Sequence, residues 1–342
     1  MVPLSNLPRY NPPRRPGRPE KKPPPPLRLV EGGLAGAPAS APALPFLLPL
    51  LRRVMRVLPS GLPTWIYTTL LRPAPLRCLA NSLLLRAIPG HVQTNGVLVV
   101  LNPKDPVVSS ALSLGIYERY ETKLVGEYVT PGMRVLDIGA NVGYYTALLA
   151  KQVGPAGHVT AFEPEPGNFQ VLCRTVGAND FQNVQTIQGA VSDAPGESLL
   201  FLSEENQGDH RLYATQGRGS IAVPLVSVDT CLPADVPLDF VKMDIQGSEG
   251  KALRGMQETL RRSPNVRILT EFWPEGLSQA GTDPLEFLEM LQDTLGFSLL
   301  EVDEKREQLV PVRNLPALIA RHPGRAYANL LCKRDTGVRE EN

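Results

Sequence analysis

The sequence predicts an α/β fold in which helices cover both faces of a mostly parallel sheet. From about residue 134 onward, short apolar runs alternate with segments whose apolar residues recur every three to four positions. The first pattern is typical of buried strands and the second of amphipathic helices. Because a strand–helix–strand alternation uses crossover connections, it gives parallel strands with helices packed on both sides.

The predicted strands are short runs rich in Val, Ile and Leu. In chain order they cover 134–139, 158–164, 184–191, 239–245, 266–272, 297–303 and 327–334. Two further extended segments, 198–205 and 221–232, flank a polar loop at 206–220. The strands are separated by segments long enough for crossovers, as a parallel sheet requires.

The predicted helices lie between these strands. One helix begins near Gly143, and another covers residues 167–179. After the fourth strand, one apolar helix face is formed by Ala252, Leu253, Met256 and Leu260. Asp283 followed by Pro284 and Glu286 predicts a helix start, with a capping acid, proline at the first helical position and a second acid in the first turn.

The region before the sheet is predicted to have two parts. Residues 1–60 contain 15 of the 35 prolines and ten Lys or Arg against two Asp or Glu, and this composition predicts a disordered tail. Residues 61–130 predict a helical lead-in that packs on the core, with a strand or hairpin at 96–105 and an amphipathic helix at 115–129. The sheet domain itself is predicted for residues 131–335.

Charge and hydropathy exclude two classes of partner. The formal net charge is +1, but the chain after residue 60 holds 25 basic and 32 acidic residues. An acidic body argues against a nucleic-acid groove, which needs a clustered basic face. No run reaches the roughly 18–20 apolar residues of a membrane-spanning helix. We therefore expect a cytoplasmic protein, with weak peripheral membrane contact through residues 44–88 as the alternative left open.

The four cysteines do not form a recognisable site. Cys78, Cys173, Cys231 and Cys332 are far apart and show no spacing typical of metal ligands. They predict reduced, mostly buried thiols.

The stretch "VLDIGANVGYYTALLA" (135–150) joins the first strand to its helix. Asp137, Gly139, Asn141 and Gly143 alternate through the turn. Glycines let the backbone turn sharply and approach a ligand, and the following helix offers free N–H groups. In an open α/β sheet, ligands bind beyond the carboxyl ends of the strands. We therefore predict a ligand site at this turn.

Acidic side chains define the charge of that site. The spacing does not match the dinucleotide fingerprint, and the Asp137 carboxylate would repel a pyrophosphate. Glu163 ends the second strand, where its carboxylate suits ribose hydroxyls, and Asp193 follows the third strand within reach of an adenine amino group. A cofactor with a positive amino group and a sulfonium fits these acids, and S-adenosyl-L-methionine (SAM) is such a cofactor.

Four motifs in order carry a family resemblance: "VLDIGANVGYYTALLA", "AFEPEPGNFQVL", "VSVDTCL" and "VKMDIQGSEGKALRGM". Over about residues 110–275 the chain resembles class I SAM-dependent methyltransferases and, more narrowly, the FkbM-type family. The resemblance implies a Rossmann-like, seven-stranded sheet and methyl transfer, mostly to hydroxyl oxygens of small molecules or sugars. Where that family most often has an acid, this chain has Gln246, which can only orient or hydrogen-bond.

Three residues are candidates for the general base that an alcohol acceptor needs. Asp244 ends the fourth strand, Glu271 ends the fifth, and His210 lies in the polar loop. Asp244, Glu249 and Glu271 are compatible with a hard cation, but no adjacent acid pair or His cluster appears, so we expect no resident metal.

Two other functions remain as alternatives. One is an NAD(P)-dependent oxidoreductase, and the other is a non-catalytic docking protein that uses the basic tail. An amino-group methyltransferase is disfavoured because the fourth strand lacks the Asn/Asp-Pro-Pro-aromatic motif. The acceptor itself is not encoded in any motif, since its pocket depends on the loops 203–220 and 273–282.

Overall fold

The computed structural model describes residues 88–204 and 206–334. The predicted tail, the lead-in before residue 88, Cys78 and nearly all of the stretch 44–88 lie outside the described residues. The strands are β1 (His91–Thr94), β2 (Val97–Val100), β3 (Arg134–Ile138), β4 (His158–Phe162), β5 (Val184–Ile187), β6 (Ala190–Val191), β7 (Gly196–Phe201), β8 (Ser220–Val226), β9 (Phe240–Met243), β10 (Arg267–Phe272), β11 (Ser298–Asp303), β12 (Gln308–Pro311) and β13 (Ala328–Lys333).

The helices alternate with these strands as the sequence predicts. They are α1 (Val108–Leu114), α2 (Arg119–Tyr128), α3 (Tyr144–Val153), α4 (Pro166–Ala178), α5 (Val228–Cys231), α6 (Glu249–Arg254), α7 (Gln257–Arg261), α8 (Pro274–Gln279), α9 (Pro284–Glu289) and α10 (Leu315–Arg321), with a π-helical turn at Met290–Thr294. The predicted start of α9 is present, because the Asp283 carboxylate accepts hydrogen bonds from the backbone N–H groups of Leu285 and Glu286.

The main sheet has eight strands in the order β12-β11-β13-β10-β9-β3-β4-β5. The five strands from β10 to β5 are parallel, and β13 runs antiparallel between β10 and β11. The expected α/β fold with a parallel core is confirmed. The eighth strand, β12, was not predicted from the sequence. It is a mostly exposed edge strand that pairs with β11, and its sequence therefore lacks the apolar run by which the buried strands are recognised.

The strand order reverses between β3 and β9. From β3 the chain proceeds outward to β4 and β5, and it then returns to add β9 on the other side of β3. The carboxyl ends of β3 and β9 therefore border the crevice in which open α/β sheets bind ligands.

Alternate residues of the central strands pack into two different cores. Leu136 and Ile138 of β3 belong to a cluster that includes Leu253 of α6. Val135 belongs to the cluster on the other face, together with Leu149 of α3. This alternation is the period of two expected of a strand buried on both faces.

The described part of the lead-in contains a hairpin and two helices. The turn between β1 and β2 has positive φ at both central residues, 48° at Asn95 and 75° at Gly96, as a type I′ turn requires. Val97 and Val99 of the hairpin pack into the same cluster as α3. This segment therefore shares a hydrophobic core with the sheet.

The predicted third strand, 184–191, is divided in two. β5 stays in the main sheet, whereas β6 pairs with β8 in a separate three-stranded sheet of order β6-β8-β7. The division falls at Gln188 and Gly189, where the Gly189 N–H donates to the carbonyl of Glu163. The chain thus leaves the main sheet directly beside the end of β4.

The predicted helix after the fourth strand is also divided, at Gly255. A side-chain Cβ there would lie 2.0 Å from the carbonyl oxygen of Ser192, so the segment after β6 packs directly on this backbone. The Gly255 carbonyl accepts hydrogen bonds from the Ser227 hydroxyl (2.8 Å) and the Asp229 N–H (2.9 Å). These contacts end α6 before α7 begins.

No helix within the described ranges is long and apolar enough to cross a membrane. Cys173, Cys231 and Cys332 are free thiols.

We expect Gly255→Ala to lower the free energy of unfolding by about 1–3 kcal/mol, because the new methyl group would overlap a backbone carbonyl that cannot rotate away. Gly177 in α4 is the matched control, since a Cβ there meets nothing within 4 Å. Gly177→Ala should raise stability by about 0.5–1 kcal/mol through its better helix propensity. Urea unfolding followed by circular dichroism measures both, and equal effects at the two sites would contradict the close packing at Gly255.

Candidate functional site

A cleft opens at the carboxyl ends of β3, β4 and β9. Its lining includes the β3 turn, the end of β4, the first residues of β6 and the segment after β9. A second, smaller cavity adjoins the turn. Both cavities are lined by Tyr117, Gly139, Asn141 and Asp244.

The β3 turn is built from three residues with positive φ: Gly139 (87°), Asn141 (50°) and Gly143 (86°). A Cβ on Gly139 would lie 2.0 Å from the carbonyl oxygen of Asp244, so only glycine allows the turn to contact the end of β9. A Cβ on Gly143 would meet the Leu172 side chain of α4 at 2.8 Å. Gly139 therefore shapes the cleft, whereas Gly143 fits α3 against α4 and does not line it.

Glu163 lies at the end of β4 with its carboxylate in the cleft wall. Its oxygens accept hydrogen bonds from the N–H groups of Asn141 (2.8 Å) and Glu165 (2.9 Å). Burial raises the pKa of Glu163 to about 7, even though these two hydrogen bonds favour the ionised form. Beside it, the side-chain oxygen Oδ1 of Asn141 is buried and has no hydrogen-bond partner among the described residues.

Asp137 lies beneath the turn, in the wall of the smaller cavity. The Thr146 hydroxyl of α3 donates a hydrogen bond of 2.5 Å to its Oδ2 atom. Burial raises the pKa of Asp137 to about 6, and this hydrogen bond opposes the rise. The acid predicted at this position is therefore held by the first turn of the following helix.

Asp193 is exposed and does not line the cleft. Its carboxylate accepts a hydrogen bond from the neighbouring Ser192 hydroxyl. The backbone of Gly189, Ala190 and Val191 borders the cleft on that side instead. The structure thus brings together Gly139, Asn141 and Glu163, with Asp137 adjoining, and leaves Gly143 and Asp193 outside.

Two of the three predicted catalytic residues meet at the ends of β9 and β10. The Gln246 amide Nε2 donates to Asp244 Oδ1 (2.8 Å) and to Glu271 Oε2 (3.3 Å). Burial raises the pKa of Glu271 well above its usual range, and the charges of Asp244 and Glu249 raise it further. Gln246 itself has φ of 53°, and its neutral side chain bridges two acids that would otherwise repel each other.

Lys242 supplies positive charge beneath this pair. Its ammonium nitrogen lies 3.7 Å from Glu121 Oε2, 4.0 Å from Asp244 Oδ2 and 5.0 Å from the ring centre of Tyr145. Burial alone would lower the pKa of Lys242, but the surrounding carboxylates raise it above its usual value. This lysine is therefore charged and is part of the structural ion pair that the buried acids need.

His210 lies in the cleft wall, away from the acidic pair. Its Nδ1 accepts a hydrogen bond from the Ser203 N–H (3.0 Å), whereas Nε2 is buried without a partner in the described part of the chain. Burial lowers the pKa of His210, so the ring is neutral. Because Nδ1 is an acceptor in this hydrogen bond, the neutral ring carries its proton on Nε2.

The loop that carries His210 is fixed by charge. The Asp209 carboxylate accepts hydrogen bonds from Arg211 (2.7 Å) and Arg218 (2.6 Å). The Arg211 guanidinium also lies 4.6 Å from the ring centre of Trp273, at cation–π distance. The loop is thus tied to the segment that follows β10.

Sequence reasoning missed Tyr117 and the backbone at 189–191. Tyr117 precedes α2 and lines both cavities, but no motif marks a single tyrosine before a helix. The β6 segment lines the cleft with its backbone, so its residue types do not reveal this role. In the sequence, only the turn glycine Gly189 could have indicated it.

Comparison with known proteins identifies a sequence family. A sequence model of the methyltransferase FkbM domain matches residues 137–324, which is more than half of the chain. The methyltransferase sdnD of Sordaria araneosa is 26% identical over 157 residues, covering 36% of this chain and 60% of that protein. The arsenite methyltransferase of Halobacterium salinarum is 28% identical over 123 residues, covering 32% of each. The chain therefore matches less than two thirds of the length of either relative.

Among solved structures, a methyltransferase FkbM from Methylobacillus flagellatus KT is similar at 15% identity. The alignment covers 66% of this chain and 54% of that chain, with a TM-score of 0.35.

We expect Thr146→Val to lower the free energy of unfolding by about 1–3 kcal/mol at pH 8, because it removes the donor to a buried carboxylate. The effect should be smaller at pH 5. The pKa of Asp137 rises from 3.8 to about 6 on folding, so its contribution to stability is full below the lower value and is lost as pH rises through the higher one. The hydrogen bond from the Thr146 hydroxyl offsets this loss of stability only at pH values where the Asp137 carboxylate is charged.

Urea unfolding at the two pH values measures this difference. Thr146→Ser, which keeps the hydroxyl, is the control. It should lose about 1 kcal/mol for the buried methyl group that it removes, and this loss should be the same at both pH values. An equal loss for Val at pH 5 and pH 8 would show that the hydrogen bond does not act on a charged group.

Proposed function

Because this chain belongs to the FkbM methyltransferase family, whose members use SAM, we propose that it transfers the methyl group to a hydroxyl oxygen of a small molecule or glycan. The observation that carries this proposal is the position of Asp244. Its carboxylate is about one third exposed (29%) and borders both cavities at the turn of β3. A carboxylate in that position is suited to accept the proton of an approaching alcohol.

The residues at the ends of β3 and β4 would hold the cofactor. Glu163 would accept hydrogen bonds from the ribose hydroxyls, and the unpartnered Asn141 oxygen would be a further acceptor. Gly139 lets the cofactor approach the backbone, since a larger residue there would collide with β9. The buried carboxylate of Asp137 adds negative charge under the turn. This set of acceptors fits a cofactor that carries hydroxyl and ammonium donors and a positive sulfur.

His210 also lines the cleft, as does the backbone of Gly189–Val191. Its neutral ring carries one proton, on the Nε2 atom, which is buried and unpartnered among the residues that the structure describes. We assign His210 to cofactor or acceptor binding. Asp193 and Gly143 are not included in the binding set, because neither lines the cleft.

Bound SAM supplies a methyl group on a positively charged sulfur. The protein holds the acceptor oxygen beside it, and orientation of this kind contributes on the order of 7–11 kcal/mol to rate enhancement. Asp244 takes the hydroxyl proton. Glu271 stays behind it, joined through the Gln246 amide, and this hydrogen bond orients the Asp244 carboxylate towards the cleft.

The first test addresses the cofactor site. We expect S-adenosylhomocysteine to bind about tenfold more tightly at pH 8 than at pH 6, because the ribose hydroxyls need the ionised form of Glu163, whose pKa is about 7. Glu163→Gln should weaken binding at pH 8 by about tenfold or more and remove most of the pH dependence. Isothermal titration calorimetry measures both.

The control for this experiment is Glu197→Gln, an exposed acid on β7, which should bind like the wild type. NADPH is titrated in parallel and should not bind. Tight NADPH binding without S-adenosylhomocysteine binding would favour the oxidoreductase, and a pH dependence retained in Glu163→Gln would remove Glu163 from the ribose site.

The second test addresses the reaction. Fractions of a metabolite extract incubated with SAM labelled at the methyl carbon should yield a product whose carbon-13 shift is that of a methyl ether. Asp244→Asn should lower kcat by roughly 10²–10⁴-fold, the usual contribution of a general base, with little change in S-adenosylhomocysteine affinity.

Asp193→Asn is the matched control, since this acid lies outside the cleft. A product methylated on nitrogen would overturn the proposed acceptor class. A loss of cofactor affinity in Asp244→Asn, with kcat unchanged, would move Asp244 from the reaction to the cofactor site.

A further inference from the structure

Three carboxylates converge behind the cleft, and we propose that Asp244, Glu249 and Glu271 bind one divalent hard cation such as Mg²⁺ or Mn²⁺. The binding itself is independent of the reaction. Its role, to hold the acceptor hydroxyl beside the cofactor, rests on the proposed function.

The spacing of the oxygens fits a cation. One carboxylate oxygen from each of the three residues lies within 4.8 Å of the others. Oxygen ligands surround Mg²⁺ at about 2.1 Å and Ca²⁺ at about 2.4 Å, so oxygens on opposite sides of such an ion are roughly 4.2–4.8 Å apart. The spacing of the three oxygens is therefore compatible with one shared ion.

Glu249 provides an independent indication that a ligand is missing from this cluster. Its side chain is fully buried at the start of α6. The Oε1 atom accepts a hydrogen bond from the Ile245 N–H at 3.0 Å, but Oε2 is buried and has no partner within the described ranges. A buried carboxylate oxygen without a partner is costly, and a bound cation removes that cost.

The protein supplies little positive charge of its own here. In the residues that the structure describes, no basic nitrogen lies within 4.0 Å of a carboxylate oxygen of Glu249 or Glu271. Lys242 is nearest, at 4.0 Å from Asp244 Oδ2, and it is closer to Glu121 (3.7 Å). Of the three acids, only Asp244 therefore lies within 4.0 Å of this lysine. A divalent ion would balance the excess negative charge of the cluster.

The cluster is open to the cleft on one side. Asp244 and Gln246 both line the cleft, whereas Glu249 and Glu271 form the buried side. Water and the acceptor hydroxyl would complete the coordination shell from the open side. Because each acid needs to give only one oxygen to the ion, the second oxygen of Asp244 would stay free to accept the hydroxyl proton.

The sequence predicts no resident metal, and the reason is spacing. Glu271 lies more than twenty residues after the other two acids, so the three form no local motif. Only the pairing of β9 with β10 and the start of α6 bring them together.

The test uses Mn²⁺ as the probe, with the purified full chain. Titration followed by electron paramagnetic resonance should reveal one Mn²⁺ per chain that Mg²⁺ displaces. Glu249→Gln should weaken this binding by about tenfold or more, and Glu271→Gln should do the same. Glu258→Gln is the matched control, because this exposed glutamate of α7 is remote from the cluster and should bind Mn²⁺ like the wild type.

Circular dichroism and S-adenosylhomocysteine affinity establish that each variant is folded; if Glu249→Gln fails to fold, Glu271→Gln decides. Absence of a stoichiometric Mn²⁺ site, or equal binding by both folded variants and the wild type, would overturn the cation site. Methyl transfer that persists unchanged in EDTA would overturn the role in holding the acceptor while leaving the proposed function intact. Mn²⁺ binding by a protein that methylates no hydroxyl would support the site and overturn the proposed function.

Discussion

The contact between Gly139 and the carbonyl group of Asp244 is the constraint on which the site depends. Any other residue at position 139 would place its Cβ only 2.0 Å from that oxygen. Such a residue would fit only if one of the two central strands moved. The contact occurs where the strand order reverses, so the β3 turn and the end of β9 become two walls of one cleft. The β3 turn therefore lies next to Asp244, which follows β9, and near Glu271 at the end of β10.

Burial of acidic groups gives this cleft its chemical character. Asp137 and Glu163 have pKa values raised to about 6 and about 7 because burial disfavours their charged forms. Beside the acids at the ends of β9 and β10, the described part of the chain places the ammonium group of Lys242, which lies among Glu121, Asp244 and the ring of Tyr145. An environment with more buried acid than base favours cationic ligands.

Sequence reasoning located most of the sheet because its strands are buried on both faces. β3, β4, β9 and β10 were each predicted within two residues at either end, since a buried parallel strand is a continuous apolar run. The same reasoning failed where tertiary contacts decide: β6 leaves the sheet at Gly189, and the helix after β9 ends at Gly255, where the Ser192 carbonyl packs on it. Neither contact has a counterpart in local periodicity.

For the site, the sequence determined which residue types line the ends of the strands and hence the family, because turn glycines and strand-end acids are set by local spacing. Only the tertiary structure decided which of them share a cavity. It placed Glu163 in the cleft and Asp193 outside it, fixed the His210 ring through the Ser203 N–H, and brought Asp244 close to Glu249 and Glu271. The physical reason is that a side chain's neighbours across the sheet depend on strand register and on where the chain leaves the sheet, and these are set by long-range packing that no short motif records.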